Sequence, residues 1–163
     1  MADYVIRTAE RQDIHSLSLL MQEYIVDFYK SPQPTDESIL DLIQMLLRGE
    51  EGIQFVAKQN GRLVGFATLY FTYSTNKAHK IVIMNDLYVV EDMRSEGIGT
   101  GLFEACNLYR NTNDYASMVW ETASSNERAQ TFYMKMGATQ EDWITYCLGA
   151  ESIGHESKTH GTT

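Results

Sequence analysis

Arg94-Ser95-Glu96-Gly97-Ile98-Gly99-Thr100 is the stretch whose residue types and spacing most clearly suit chemistry. Two glycines one residue apart let backbone N–H groups approach a ligand without interference from a Cβ. Leu102, Phe103, Cys106 and Leu108-Tyr109 follow near helical spacing, so the turn runs into a helix N-terminus and its partial positive charge. That combination suits an anion, most often a phosphate. Asp86-Leu87-Tyr88-Val89-Val90, just upstream, reads as a buried strand. A dinucleotide fingerprint would need glycine at position 102, where Leu102 stands, and a Walker loop would end in Gly-Lys-Ser/Thr, which is absent. Taken alone, the stretch also fits a glycine turn that binds nothing.

The elements that hold this turn are legible on either side of it. Tyr4–Arg7 alternates as a first strand, and Asp13 is placed to cap a helix with Ile14, Leu17, Leu20-Met21 and Tyr24-Ile25 inward. Tyr24, Phe28 and Tyr29 extend that stripe, as core or as a pocket wall. Ser31-Pro32-Gln33-Pro34 breaks the helix, and Thr35 or Asp36 caps a second one carrying Ile39-Leu40, Ile43 and Leu46-Leu47. Ile53–Ala57 and Leu63–Thr72 are strands joined by Asn60-Gly61, a strong hairpin signal, with Gly65 a bulge or close-packing point. Ile81–Met84 leads into the central strand. Beyond the central helix come a strand at 117–122, a helix from Glu127 to Met136 closed by Gly137, and a last strand at Ile144–Leu148.

The whole chain has 163 residues, 44% hydrophobic and 21% charged, as expected of one globular domain over residues 1–148. A polar tail, 149–163, is expected to be disordered. No apolar run reaches the roughly 20 residues of a membrane span. The N-terminal residues do not resemble a secretory signal. Cys106 and Cys147 lack metal or disulfide spacing, so no metal is expected and a reduced, cytoplasmic setting is the simplest reading. A net charge of −9 argues against nucleic acid and favours a cationic small-molecule partner. A homodimer is compatible with these features.

Arg-x-x-Gly-x-Gly after a strand resembles the coenzyme-A pyrophosphate loop of the GNAT (general N-acetyltransferase) superfamily. Asn126-x-x-Ala129-x-x-Phe132-Tyr133-x-x-x-Gly137 resembles the second motif of that family. The two stand in the right order, and the resemblance covers roughly residues 4–148. It implies an α/β (α+β) GNAT fold: a mixed, mostly antiparallel sheet splayed between strands 4 and 5, flanked by about four helices. Acetyl-CoA as cosubstrate would lie in that splay. Leu87, Tyr88 and Val89 would serve it through their strand, and Arg94, Ser95, Glu96, Gly97, Ile98, Gly99 and Thr100 would hold the pyrophosphate. Asn126 would meet the pantetheine and Tyr133 the sulfur.

Acetyl transfer in such a family needs a neutral amine, whereas an alkylammonium has a pKa of about 10.4. A proton acceptor is therefore needed, with Asp86 the first candidate and Glu121 the second. A tyrosine, with pKa about 10, can protonate a departing thiolate of pKa about 8.5, which is the part the resemblance gives Tyr133. Attack is direct, with no covalent enzyme intermediate, and Cys106 reads as helix core. Asp86, Glu121 and Tyr24 are the candidate acceptor-site residues. Phe71-Thr72-Tyr73-Ser74-Thr75 followed by Asp86-Leu87-Tyr88-Val89 looks like the diamine (spermidine/spermine) branch, with Asn85 where that branch carries an acid. The expected activity is acetylation of a primary amine, possible acceptors including a diamine. The rivals are an aminoglycoside, a protein lysine or N-terminus, and a non-catalytic acyl-CoA-binding module.

Overall fold

The computed structural model describes residues 3–149, which fall into two compact units, one ending at Asn126 and one beginning at Glu127. The expected tail lies outside the described residues, except for Gly149.

The first unit is built on a five-stranded sheet in the order β1-β2-β3-β4-β5. Its strands are β1 (Val5–Thr8), β2 (Gly52–Gln59), β3 (Arg62–Ser74), β4 (His79–Val89) and β5 (Met118–Val119). All neighbours are antiparallel except β4 and β5. Asn60 and Gly61 take φ of +49° and +80°, the two positive values that a tight two-residue hairpin requires, so the β2–β3 turn forms as expected.

Three helices cover the two faces. α1 (Ile14–Gln22) and α2 (Asp36–Arg48) pack on one face, α3 (Ile98–Thr112) on the other. Thr35 caps α2 by accepting the Ser38 N–H at 3.1 Å, and Gly49 ends it at φ +71°. On the α3 face a Cβ at Gly65 would lie 2.8 Å from the Tyr88 carbonyl and 3.1 Å from Leu102 Cδ1. Gly65 is thus a close-packing point, and the neighbouring register shift makes it a bulge site too. Leu17, Ile43, Phe66, Leu69 and Leu102 are fully buried, each worth about 2 kcal/mol of apolar transfer.

Three expectations need correcting. Asp13 does not cap α1 with its side chain; its carboxylate takes the Arg7 guanidinium and the Glu10 N–H instead. The fifth strand shrinks from 117–122 to Met118–Val119, because β4 offers a parallel partner only at Val82 and Ile83 before it bulges and turns away. Residues 144–148 form no strand. Their alternation supplies the side-chain pattern of a strand, but a strand also needs a backbone ladder, and alternation cannot provide one.

The second unit holds α4 (Glu127–Lys135). The Ala138 N–H bonds the Tyr133 carbonyl and the Gly137 N–H bonds that of Met134, both at 3.0 Å, with Gly137 at φ +86°. That pair of bonds is the Schellman closure expected of Gly137.

Candidate active site

The site begins with a bulge. Register runs from Leu69↔Met84 to Thr68↔Asp86, so Asn85 is an extra residue in β4. One inserted residue reverses the alternation of side chains and backbone groups beyond it. Before the bulge, Val82 donates its N–H to Ser117, toward β5. After it, Val90 donates to Val64, toward β3. By period-two alternation Tyr88 and Asp86 also direct their backbone groups to β3, while Leu87 and Val89 direct theirs to the splayed side. Of the three strand positions expected to serve the cosubstrate, Leu87 and Val89 thus direct backbone groups to the gap, and Tyr88 does not.

The same reversal turns the Asp86 and Tyr88 side chains to the face that carries α1. There α1 continues as a π-helical turn, Glu23–Phe28, with Tyr29 N–H bonding the Tyr24 carbonyl five residues back. The wider turn carries an aromatic cluster: the Tyr24 ring lies 4.9 Å from Tyr29, 5.3 Å from Tyr88 and 5.4 Å from Phe66. Such turns are frequent at functional sites. Tyr24 is buried, so it is both core and pocket wall. Tyr24, Ile25, Tyr29, Ser31, Asn85 and Asp86 line a cavity of about 270 Å³.

Asp86 is the only carboxylate among the described residues that line it. Asn85 Nδ2 donates to Asp86 Oδ1 at 3.1 Å. Burial pushes the Asp86 pKa up, and hydrogen bonding from Thr68, Tyr24 and Asn85 pulls against that. Burial first, then the Asp86 charge, holds the Tyr24 phenol far above its ordinary value. The same two causes push Tyr70 up to about 12. A lone half-buried carboxylate among neutral phenols and an amide is suited to a cation, whose charge would cancel its own.

The glycine turn is formed as expected. Ser95 and Gly97 take φ of +68° and +83°, and Gly97 precedes α3 with no side chain to cap it. The Ile98, Gly99 and Thr100 N–H groups thus have no acceptor within the helix, the arrangement that takes an anion. Tyr4 Oη and the Gly101 N–H both donate to the Gly97 carbonyl at 3.0 Å, which fixes the turn. A Cβ at Gly99 would meet nothing nearer than Val89 Cγ2 at 3.9 Å, so packing within the protein does not demand glycine there. Close approach of a ligand backbone-to-phosphate is a reason that would. Arg94 does not point away into solvent: its Nε donates to the Val89 carbonyl at 3.0 Å, and its guanidinium lies 5.5 Å over Phe28 and 5.7 Å over Tyr88.

The remaining candidates are placed as follows. Tyr88 is buried and its hydroxyl donates to Glu23 Oε1 at 2.7 Å, so its side chain faces α1 rather than the splay. Glu121 lies beyond β5, exposed, and does not line the Asp86 cavity. Asn126 ends the first unit, its N–H bonded to the Ala123 carbonyl. Tyr133 lies in α4 of the second unit, half-buried and edge-on to Phe132 at 5.5 Å. Cys106 is buried and its thiol is pushed up to about 12, which leaves it inert core. Sequence reasoning missed Gln54, Thr68 and Ser31, whereas Tyr29 lines the cavity, one of the two places its spacing allowed. Gln54 and Thr68 did carry a signal, each being polar inside an apolar strand run.

A family model described as the acetyltransferase (GNAT) family matches residues 14–138. The chain belongs to the GNAT family. Consistent with that, it is 30% identical to an uncharacterized N-acetyltransferase, YhfO, of Bacillus subtilis, over 88% of this chain and 95% of the relative. It is 26% identical to a D-amino-acid N-acetyltransferase, HPA3, of Saccharomyces cerevisiae, over 87% and 88% respectively. Among solved structures, an aminoglycoside N-acetyltransferase, AAC(6')-Iy, in complex with CoA shares the GNAT fold at TM-score 0.78 and 16% identity, covering 91% of this chain and 96% of that one. The expected GNAT architecture is therefore present: a mixed sheet parting between β4 and β5, with four helices among the described residues.

Proposed function

We propose that this N-acetyltransferase transfers an acetyl group from acetyl-CoA to a small primary amine that enters as a cation beside Asp86. The observation that carries this reading is the single carboxylate, with no cationic partner among the described residues, lining a cavity of tyrosines at the bulge of β4. The cosubstrate would be held by the N–H groups of Ile98, Gly99 and Thr100 and by the outward backbone of Leu87 and Val89. It supplies the activated acetyl group.

Asp86 has two tasks in this account. It binds the ammonium form, and it orders the path by which the proton leaves. An ordinary carboxylate and an alkylammonium differ by roughly six pKa units, so direct proton transfer is strongly uphill. Burial of Asp86 narrows that gap, and a water held by Asp86 can take the proton onward. Tyr133 is assigned to the leaving thiolate on its motif, Asn126 to Gly137. Tyr133→Phe should lower kcat by roughly 10- to 1,000-fold with little change in CoA affinity.

A diamine is the second reading, favoured by a specific feature. Tyr70 feels the Asp86 charge and also lines a second cavity, of about 570 Å³, which carries Glu50 and Glu51. A second ammonium would find carboxylates there. Release of CoA should be followed over a series of monoamines and diamines of increasing length, with D-amino acids and an aminoglycoside included. Turnover of monoamines alone supports the first reading, and a maximum at one diamine length supports the second. Tight CoA binding with no turnover of any acceptor would contradict both.

A further inference from the structure

Gln54, Thr68 and Asp86 are cross-strand neighbours in one row, Gln54↔Thr68 between β2 and β3 and Thr68↔Asp86 between β3 and β4. Gln54 and Thr68 are polar residues in the core, 3% and 0% exposed. Gln54 Nε2 donates to Thr68 Oγ1 at 3.1 Å and lies 3.5 Å from Met21 Sδ. Accepting that bond occupies a lone pair of Thr68 and leaves its hydroxyl hydrogen to turn toward Asp86, its partner across the β3–β4 pairing. The arrangement is costly as packing alone. Gln54 Oε1 is buried with no hydrogen-bond partner among the described residues, where an apolar side chain would leave nothing unsatisfied. Valine would likewise fill the Thr68 position with nearly the same shape. A reason for both polar groups lies at the far end of the row.

We propose that Gln54 and Thr68 are positioning residues: Gln54 fixes the Thr68 hydroxyl so that it donates to Asp86, keeping that carboxylate aimed and anionic for the acceptor amine. The inference rests on the assignment of Asp86 to the acceptor site. The ionisable groups facing Asp86 are Tyr24 from the π-helical turn, with Tyr29 behind it, and Tyr70 from β3. Tyr88, next on its own strand, gives its hydroxyl to Glu23. No cation among the described residues acts on Asp86, so a donated hydrogen bond is the main means of favouring its charged form.

The test is the titration of the Asp86 carboxyl carbon by NMR, its resonance assigned by comparison with Asp86→Asn. Thr68→Val should raise the Asp86 pKa, with a roughly ten-fold change in its acid constant. Gln54→Leu should shift it the same way by less, and Thr68→Ser should restore the wild-type curve. Thr68→Ala serves if the valine variant fails to fold. The acidic limb of kcat/KM for the amine should move to higher pH in step. A folded Thr68→Val or Thr68→Ala protein in which Asp86 titrates as in wild type overturns the proposal. Wild-type amine kinetics in Asp86→Asn would overturn the acceptor assignment itself, and with it the purpose of the row, whatever the titration gives.

Discussion

Asp13 and Asp86 are both carboxylates withdrawn from water on the same face of one sheet, and they are handled in opposite ways. Asp13 is 3% exposed and meets Arg7 in a two-pronged pair, at 2.6 and 3.0 Å, with the Glu10 N–H adding a third bond at 2.8 Å. Its charge is cancelled and its acceptor capacity largely used. Asp86 receives bonds from neutral groups only and lines a cavity. The difference separates a carboxylate that joins β1 to the start of α1 from one whose charge is left for something that arrives.

The largest consequence concerns stability. Asp13→Ala would strand the Arg7 guanidinium, partly buried, and should cost about 3 kcal/mol, the lower end for breaking such a pair. Asp86→Asn should leave stability at neutral pH unchanged or raised, since it removes a charge that burial disfavours. Urea unfolding of the two variants checks the contrast. Equal losses would erase it.

Next in size is the anion turn, which neither carboxylate touches. Gly99→Val should weaken CoA binding by about ten-fold, or 1.4 kcal/mol, while Gly99→Ala keeps the fold because its Cβ has room. Calorimetry with CoA measures both. Unchanged affinity in a folded Gly99→Val protein would move the pyrophosphate elsewhere.

The smallest effects are the pH slopes, and their signs oppose. Arg7 hydrogen bonding holds the Asp13 pKa below its ordinary value. Its stability contribution is therefore present above the unfolded value of about 3.9 and lost as pH falls through the folded value. Burial raises the Asp86 pKa, so its contribution is complete below about 3.9 and lost as pH rises through the folded value. The advantage of wild type over Asp13→Asn should shrink on acidification below pH 4, and that of Asp86→Asn over wild type should grow above it. Slopes of one sign would deny that the two environments differ.

Much of this was legible beforehand because it depends on local backbone demands. Asn60-Gly61, the glycine turn after β4, the Thr35 cap and Gly137 each state a requirement of their own few residues. The bulge at Asn85 was not legible. It exists only in the pairing of β4 with β3, and the sequence showed Asn85 merely as a missing acid. Asp13 looked like a helix cap because Arg7 stands on another element. The π-helical turn sets Tyr24 against Phe66 and Tyr88 of the sheet, contacts between distant elements that helical spacing does not reveal. The Ile144–Leu148 alternation misled because side-chain pattern and backbone partner are separate conditions. Of the candidate site, Asp86 and Tyr24 are brought together, while Glu121 is not among the residues that line their cavity.

The most direct measurement of the central claim is kcat/KM for acetyl transfer to a reactive primary amine, wild type against Asp86→Asn, across pH and at low and high salt. The account predicts a fall of roughly 100-fold or more in the variant, the lower end of general-base catalysis. KM for the amine should rise, the acidic limb should disappear, and the salt dependence should weaken as the charge is removed. Asp13→Asn, once folded, should keep the wild-type profile. Equal kcat/KM for wild type and Asp86→Asn at every pH and salt would contradict the account.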